Sequence, residues 1–143
     1  MKTHEELLKE ARRAADLSYS PYSRFRVGAA VLADGKMFCG ANIENATGNL
    51  GICAERVAIA HAIMHGVSKI DGIAVFCVDA QTDQKGKVIN AQTFPCGACL
   101  QWLYEFAPDA WIVTNGNKKV YHLTDFLQKP FSLQPSVHSK PIP

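Results

Sequence analysis

Residues 70–79 read IDGIAVFCVD, an apolar run with turn residues at both ends. A strand that is buried on both faces has this pattern, because neither face needs polar side chains. We therefore expect this segment to be the central strand of a sheet that is covered on both sides.

Strand signals flank this run on both sides. Residues 24–32 and 36–43 have strand composition, and Ala33-Asp34-Gly35 joins them. An Asp-Gly pair supplies the positive φ angles of a tight hairpin turn, so a β-hairpin is predicted. Two further predicted strands surround an Asn-Gly-Asn turn, at 110–114 and 119–123.

Three segments have apolar residues at the i, i+3, i+4 spacing of amphipathic helices. The predicted helices span residues 3–18, 53–65 and 96–106. Gly66 supplies a left-handed stop for the second helix, and Pro95 stands where proline is tolerated at the start of the third.

The remaining segments predict loops and one short helix. Residues 81–93 are polar and indicate an exposed loop, with a short strand at 87–89 at most. Thr124-Asp125 predicts the cap of a short helix, and the tail after Phe131 predicts a loop. The resulting order of elements, without repeats or linkers, predicts one α/β domain over residues 1–143, with helices packed on a mixed sheet.

Composition excludes several functional classes. The chain has 143 residues, of which 48% are hydrophobic, enough to form the core of one domain. The chain has fifteen basic and thirteen acidic residues, and the basic residues are scattered along it. A nucleic acid polymer is therefore not an expected partner.

The chain also lacks the signals of a membrane or secreted protein. Its apolar runs reach about six residues, where a membrane-spanning helix needs about 20. The first residues, MKTHEELLKEARRAA, carry charges where a secretory signal needs an apolar core. We therefore expect a cytoplasmic protein.

Five cysteines in such a chain indicate a metal, redox chemistry or thiols packed in the core. Cys39 and Cys77 lie in apolar, strand-like segments, where cysteine acts as a small hydrophobic residue. The other three lie at predicted helix N-termini: Cys53 on the second helix, Cys96 and Cys99 on the third.

A helix N-terminus stabilises negative charge and therefore favours the thiolate that a metal needs. Zn²⁺ suits three thiolates, and three protein ligands leave the fourth tetrahedral position open, as in catalytic sites. His61 and His65 lie about 12 and 18 Å along the helix from Cys53, too far to join the same ion. They are assigned ordinary surface roles.

Glu55 follows Cys53 by two residues, in the first turn of the predicted helix. At a helix N-terminus it could simply complement the helix dipole. Beside a metal site it becomes a candidate general acid and base. C-x-E followed by P-C-x-x-C is the signature of zinc-dependent nucleobase deaminases.

The chain resembles a small homotetrameric, zinc-dependent cytidine deaminase over nearly its whole length. The matching segments occur in the family's order and are SYSPYSRFRVGAAV (18–31), NIEN (42–45), GICAER (51–56), FPCGACLQ (94–101) and FLQKPFSLQP (126–135). The resemblance implies a three-layer domain, with a mixed five-stranded sheet and helices on both faces.

The resemblance also implies a function: hydrolysis of cytidine and deoxycytidine to the uridines, with release of ammonia. Cys53, Cys96 and Cys99 would hold Zn²⁺, and Glu55 would move protons from water to ring N3 and the leaving amine. The free nucleoside would be the substrate, and the partner would be further copies of the chain in a homotetramer.

Further roles follow from the same resemblance. Asn42 and Glu44 match positions that hold the ribose hydroxyls, and Phe25 matches an aromatic residue beside the pyrimidine pocket. Ala54 matches a residue whose backbone meets the base edge. Two more matches are Phe131, an aromatic residue that enters a neighbouring subunit's site, and Arg56, which bonds the zinc thiolates.

Three positions differ from the typical pattern. Gly48 replaces a tyrosine, Val57 a threonine and Leu100 an arginine. Loss of the ring at Gly48 would open the pocket or a subunit boundary. An alternative substrate is therefore an N4-modified cytidine or a blasticidin-type aminonucleoside.

Two other classes remain open at the level of sequence. A thioredoxin-like redox protein would use Cys96 and Cys99, but that function leaves Cys53 and Glu55 unexplained. A zinc-stabilised binding module without turnover would have no use for Glu55. Zinc content separates the first class from a deaminase, and turnover separates the second.

Overall fold

The computed structural model describes residues 2–133, and in this range five strands form one mixed sheet. The strands are β1 Val27–Ala33, β2 Lys36–Ala41, β3 Ile70–Cys77, β4 Trp111–Thr114 and β5 Tyr121–His122. Their order is β2-β1-β3-β4-β5. Strands β3 and β4 pair in parallel, and the other neighbours pair antiparallel. The predicted central strand is confirmed, because β3 lies in the middle.

Helices cover both faces of this sheet. They are α1 Lys2–Ala14, α2 Ala54–Met64 and α3 Gly97–Phe106. Along β1, Ala30 packs with Leu7 and Ala11 of α1. Its neighbours Ala29 and Val31 belong to the core on the opposite face, with α2 and α3. Since successive side chains of a strand alternate between faces, the sheet is the middle of three layers, as predicted.

Glycines allow two helices to lie directly against the sheet. A Cβ atom on Gly28 of β1 would collide with the carbonyl oxygen of Ala11 in α1. A Cβ atom on Gly40 of β2 would collide with the backbone nitrogen of Ala58 in α2. Gly40 thereby sets how closely α2 approaches the sheet.

The hairpin between β1 and β2 turns on the predicted Asp-Gly pair. Asp34 has φ 48° and Gly35 has φ 74°. The Asp34 carboxylate accepts hydrogen bonds from the backbone N–H groups of Ser68 and Lys69 and from the Ser68 hydroxyl. These bonds, those of Ser68 first, hold the pKa of Asp34 below its usual value and tie the turn to the chain before β3.

Two strand starts were predicted too early. The strand predicted from residue 24 begins at Val27, because Arg24 has φ 57° and donates its N–H to the Ser20 carbonyl in a turn. The strand predicted from residue 119 begins at Tyr121.

The predicted short closing helix is confirmed only as a single 3₁₀ turn. A 3₁₀ turn, Leu123–Asp125, follows β5 directly. The Asp125 carboxylate accepts the N–H of His122 at 2.8 Å, so Asp125 caps the turn that contains it instead of starting a helix after it.

Other boundaries differ by a few residues. The first helix becomes a 3₁₀ turn after Ala14, and the strand predicted to residue 43 ends at Ala41. The segment 87–89 forms an isolated bridge, Thr82 to Val88, and not a strand. Of the predicted tail, residues 134–143 lie outside the described range. No helix between residues 2 and 133 is both long and apolar enough to cross a bilayer.

Replacing Gly28 with alanine tests the close packing of α1. The new methyl group would meet helix backbone, which has no rotamer to change, so the free energy of unfolding should fall by about 1–3 kcal/mol. Gly48→Ala is the control, since a Cβ atom there meets nothing within 4 Å. Urea unfolding measures both; equal stability of the two variants would contradict the packing argument.

Candidate active site

Three thiols from two helix N-termini meet at one point. Cys53 is the N-cap of α2 and Cys96 is the N-cap of α3, while Cys99 lies in the first turn of α3. The Sγ atoms of Cys53 and Cys96 are 3.6 Å apart, and those of Cys96 and Cys99 are 3.5 Å apart. All three sulfurs lie within 4.8 Å of one another.

These separations fit a tetrahedral zinc ion. Zn–S bonds of about 2.3 Å place the sulfur ligands of such an ion about 3.8 Å apart. Three thiolates that meet in this way supply three of the four ligands and leave one position for water or substrate. The thiols that the sequence proposed as ligands are therefore arranged as a metal site requires.

The local electrostatics favour a thiolate in this group. The hydrogen bond from Cys99 lowers the pKa of Cys53 to about 5 against the opposing effect of burial, and Arg56 adds to the lowering. The same hydrogen bond, together with burial, raises the pKa of Cys99 above its usual value. Cys53 therefore loses its proton more readily than Cys99, which gives the group an anionic sulfur for a cation.

Glu55 is a buried carboxyl group at the edge of the thiols. It is 4% exposed, and its Oε2 atom lies 3.4 Å from the Sγ atom of Cys99. Burial, and then the charge on Cys53, raise the pKa of Glu55 to about 7. A carboxyl group that only complemented a helix dipole would face solvent. The position of Glu55 instead suits proton transfer beside a metal.

Arg56 brings a positive charge to the thiols. Its Nη2 atom donates to the Sγ atom of Cys53 at 3.5 Å, and this bond raises the pKa of Arg56 above its usual value. The Nε atom of Arg56 is buried and has no hydrogen-bond partner within the described range. The structure thus places Arg56 where the sequence predicted a contact with the thiols.

Asn42 holds the chain segment that precedes β1. Its Nδ2 atom donates to the Phe25 carbonyl at 2.7 Å, and its Oδ1 atom accepts from the Val27 N–H at 2.9 Å. The Ser18 hydroxyl is a third partner, at Oδ1. One amide hydrogen of Asn42 has no partner among residues 2–133 and remains available to a ligand.

Glu44 holds the same segment further upstream. Its Oε1 atom accepts the N–H groups of Tyr22 at 3.0 Å and Ser23 at 3.1 Å. Bonds from Ser23 hold the pKa of Glu44 below its usual value. Because a carboxylate offers about four acceptor positions, Glu44 can still accept a further donor.

The other predicted binding residues lie in different environments. Phe25 is half-buried against the main core, and Ala54 is the fully buried first residue of α2, next to Cys53. Phe131 is 68% exposed, and its carbonyl accepts a hydrogen bond from Gln101 of α3 at 2.8 Å.

The three positions that differ from the typical pattern are spread over the structure. Gly48 is exposed in the 3₁₀ turn Gly48–Leu50, with open space beside its Cα atom. Val57 is half-buried on α2, and Leu100 of α3 is buried in the main core. At Gly48 a Cβ atom would meet no other atom within 4 Å.

An ion pair that the sequence analysis missed anchors the start of β1. Arg26 donates from Nε and Nη2 to the two carboxylate oxygens of Asp79, at 2.9 and 2.8 Å. The side-chain bond to Arg26 lowers the pKa of Asp79 to about 2. Both residues stand at strand ends, so antiparallel pairing of the first strand with the central strand would have placed them together.

Comparison with known proteins agrees with this geometry. The family model described as the cytidine and deoxycytidylate deaminase zinc-binding region matches residues 1–115. The chain belongs to this deaminase family. The zinc cofactor that the sequence predicted is thereby confirmed, and the group of three thiols is the place where the described residues could bind it.

Individual relatives of this deaminase are similar over most of their length. A cytidine deaminase of Halalkalibacterium halodurans is 45% identical over 112 residues, which cover 78% of this chain and 77% of the relative. The crystal structure of a cytidine deaminase from Burkholderia pseudomallei matches with a TM-score of 0.75 at 35% identity, over 90% of this chain and 98% of the other. A more distant relative, a blasticidin-S deaminase of Bacillus cereus, is 28% identical over 120 residues, or 83% of this chain and 84% of the relative.

Metal analysis tests the assignment of the thiols in this deaminase. The purified chain should contain one zinc ion, and Cys96→Ala should lose most of it because two thiolates hold the ion weakly. Cys96 is exposed, so its truncation leaves no cavity in the core. Cys39→Ala, which removes a thiol outside the group, should retain the zinc. Full zinc in Cys96→Ala would show that the ligands lie elsewhere.

Proposed function

We propose that this chain, residues 1–143, is one catalytic domain that converts cytidine and deoxycytidine to uridine and deoxyuridine with release of ammonia. The observation that carries the proposal is the buried Glu55, which lies 3.4 Å from one of three thiols arranged for zinc. Relatives named cytidine deaminase support the choice of substrate.

Cys53, Cys96 and Cys99 would hold the ion. When bound, Zn²⁺ supplies the Lewis acidity that lets a water molecule ionise near neutral pH. Glu55 accepts a proton from the attacking water and donates it to ring N3, while a bond forms between the water oxygen and C4. Glu55 then moves the proton of the new C4 hydroxyl to the amino group. The C4–N4 bond breaks, and ammonia leaves.

Arg56 adjusts the charge of the site. Three thiolates around Zn²⁺ sum to a net charge of −1, which would weaken the ion as a Lewis acid. The guanidinium of Arg56, in contact with Cys53, offsets this charge and withdraws electron density from the sulfur. Arg56 acts through the ligand and does not touch the substrate.

Asn42 and Glu44 would hold the sugar. Asn42 can donate its remaining amide hydrogen, and Glu44 can accept a hydroxyl hydrogen. One donor beside one acceptor is what a sugar hydroxyl needs, because it can accept and donate at once. Phe25, which Asn42 contacts through its carbonyl, would lie beside the pyrimidine ring, and the backbone of Ala54 would meet the base edge.

We expect Glu55→Gln to lose at least about 10²-fold in kcat, because glutamine keeps the size of the side chain but cannot exchange protons with the substrate. The measurement is ammonia release from cytidine, with zinc content and circular dichroism as checks on the fold. Glu105→Gln, an exposed carboxyl group elsewhere on α3, is the control and should remain active. Near-normal turnover in Glu55→Gln would show that Glu55 is not catalytic and only complements the helix dipole.

A second substrate class is an N4-modified cytidine or a blasticidin-type aminonucleoside. Two observations favour it: the open space at Gly48 and the 28% identity to a blasticidin-S deaminase. Both substrate classes use the same thiols and carboxyl group, so a panel of nucleosides is needed to separate them.

The variant Gly48→Tyr tests whether this position sets the substrate range. Adding the ring should lower kcat/KM for an N4-alkyl cytidine relative to cytidine by roughly 10 to 200-fold, the effect of one apolar contact. Gly48→Ala, which adds only a methyl group into the same open space, is the control. An unchanged ratio in Gly48→Tyr would show that the turn at Gly48 does not contact the substrate.

We further propose that the active form is a homotetramer in which Phe131 completes a neighbour's site. A large aromatic side chain that is 68% exposed in one chain gains free energy when an interface covers it. All five cysteines are free thiols, which agrees with a cytoplasmic location. The partners are then nucleosides and further copies of the chain.

Sedimentation of the purified enzyme should give a tetramer. Phe131→Ala should fold, because its side chain is exposed, yet lose roughly 10-fold or more in kcat/KM through the missing apolar contact. Met64→Ala, which truncates a residue that is 83% exposed, should behave as the wild type. A monomer with full activity would refute the assembly.

A further inference from the structure

The C-terminal end of α2 carries a pair of exposed imidazoles, His61 and His65, one helical turn apart. Residues at i and i+4 lie on the same face of a helix, and two histidines at this spacing can bind one metal ion. We propose that His61 and His65 form a second, exchangeable site for a divalent transition metal, separate from the thiol site.

Hydrogen bonds fix the tautomer of both rings. The Nδ1 atom of His61 lies 3.0 Å from the Cys39 carbonyl oxygen, and the Nδ1 atom of His65 lies 3.0 Å from the His61 carbonyl oxygen. A carbonyl oxygen can only accept, so each Nδ1 carries the hydrogen and each neutral ring keeps its lone pair on Nε2. Histidines that ligate metals are held in this way, with the second ring nitrogen bonded to a carbonyl or carboxylate.

The distance between the rings suits one shared ion. A metal about 2.0–2.1 Å from each Nε2 lies about 3.2 Å from each ring centre, so cis ligands have ring centres about 4.5–5.2 Å apart. The centres of the His61 and His65 rings are 4.9 Å apart. The separation of the two rings is therefore within the range that one shared ion requires.

Packing against Phe38 restricts both rings. The Phe38 side chain is 6% exposed, and its ring centre lies 5.4 Å from that of His61 and 5.1 Å from that of His65. A buried aromatic ring beneath two imidazoles limits their rotamers, which reduces the entropy that ion binding must overcome. His65 is also the C-cap of α2, where the helix dipole favours a cation.

This site is independent of the proposed catalytic centre. Cys53 and Glu55 lie at the opposite end of α2, about 9–18 Å from the imidazoles at 1.5 Å per residue. Imidazole nitrogens suit Ni²⁺, Cu²⁺ and Zn²⁺, whereas the thiol group selects zinc. With two protein ligands and water in the other positions, the ion at His61 and His65 exchanges with solvent.

The test is a calorimetric titration of the zinc-loaded enzyme with Ni²⁺, with zinc measured before and after. The wild type should bind one Ni²⁺ per chain and retain its zinc. His61→Gln and His65→Gln should each lower the Ni²⁺ affinity at least about tenfold, because a single imidazole loses the advantage of chelation. His122→Gln, which removes an exposed imidazole on β5 at the far edge of the sheet, is the matched control and should bind as the wild type.

The result separates this site from the catalytic one. Loss of Ni²⁺ binding with deamination unchanged supports a second site, since neither histidine belongs to the proposed catalytic machinery. Wild-type affinity in both His61→Gln and His65→Gln overturns the proposal, as does Ni²⁺ binding that disappears in His122→Gln. Of the two variants, His65→Gln disturbs the fold less. The Nδ1 atom of His65 bonds to a carbonyl oxygen of its own helix, whereas that of His61 bonds to a carbonyl oxygen of β2.

Discussion

The direction of the strands brings the two helix N-termini together, and the rest of the site depends on that meeting. Strand β1 is antiparallel to both β2 and β3, and β3 is parallel to β4, so β2, β3 and β4 run the same way. Helix α2 follows β2 and helix α3 follows β3, on one face of the sheet. Both helices therefore begin beyond the carboxyl ends of their strands, where ligands bind in open α/β sheets.

Placing two helix N-termini side by side has an electrostatic cost unless negative charge lies between them. Each terminus carries roughly half a positive charge and unpaired N–H groups. Thiolates at the N-caps supply that negative charge, and the metal and Arg56 then balance it. Two of these charges act on the buried Glu55: the charge on Cys53 raises the pKa of its carboxyl group and the charge on Arg56 lowers it, while burial has the largest effect and raises it. The charges that stabilise the helix ends thus also act on the carboxyl group proposed to transfer protons.

Prediction from sequence worked best where a local sequence pattern is compatible with only one structure. The apolar run 70–79 and the Asp34-Gly35 turn each have a single strong interpretation, and the structure agrees with both. The helix-initial cysteines left redox chemistry open, and the structure groups Cys53, Cys96 and Cys99 as a metal site requires. The start of β1 was missed because Arg24 adopts a left-handed conformation that its residue type does not announce. The ion pair Arg26–Asp79 was missed because it joins the ends of two strands. Predicting it requires the pairing register of those strands, which the local sequence pattern does not give.

The two halves of the site are built by different forces, and this explains why the chemistry is easier to predict than the substrate range. The thiols and Glu55 are positioned by helices that pack on the sheet through glycine contacts and a buried core. Asn42 and Glu44 instead hold the segment before β1 through hydrogen bonds between loops. Each such bond contributes only about 1 kcal/mol net, so loop geometry near the proposed sugar site can change without disturbing the zinc site. A glycine at position 48 is a change of this kind, because it alters the space in a loop and leaves every proposed zinc ligand in place.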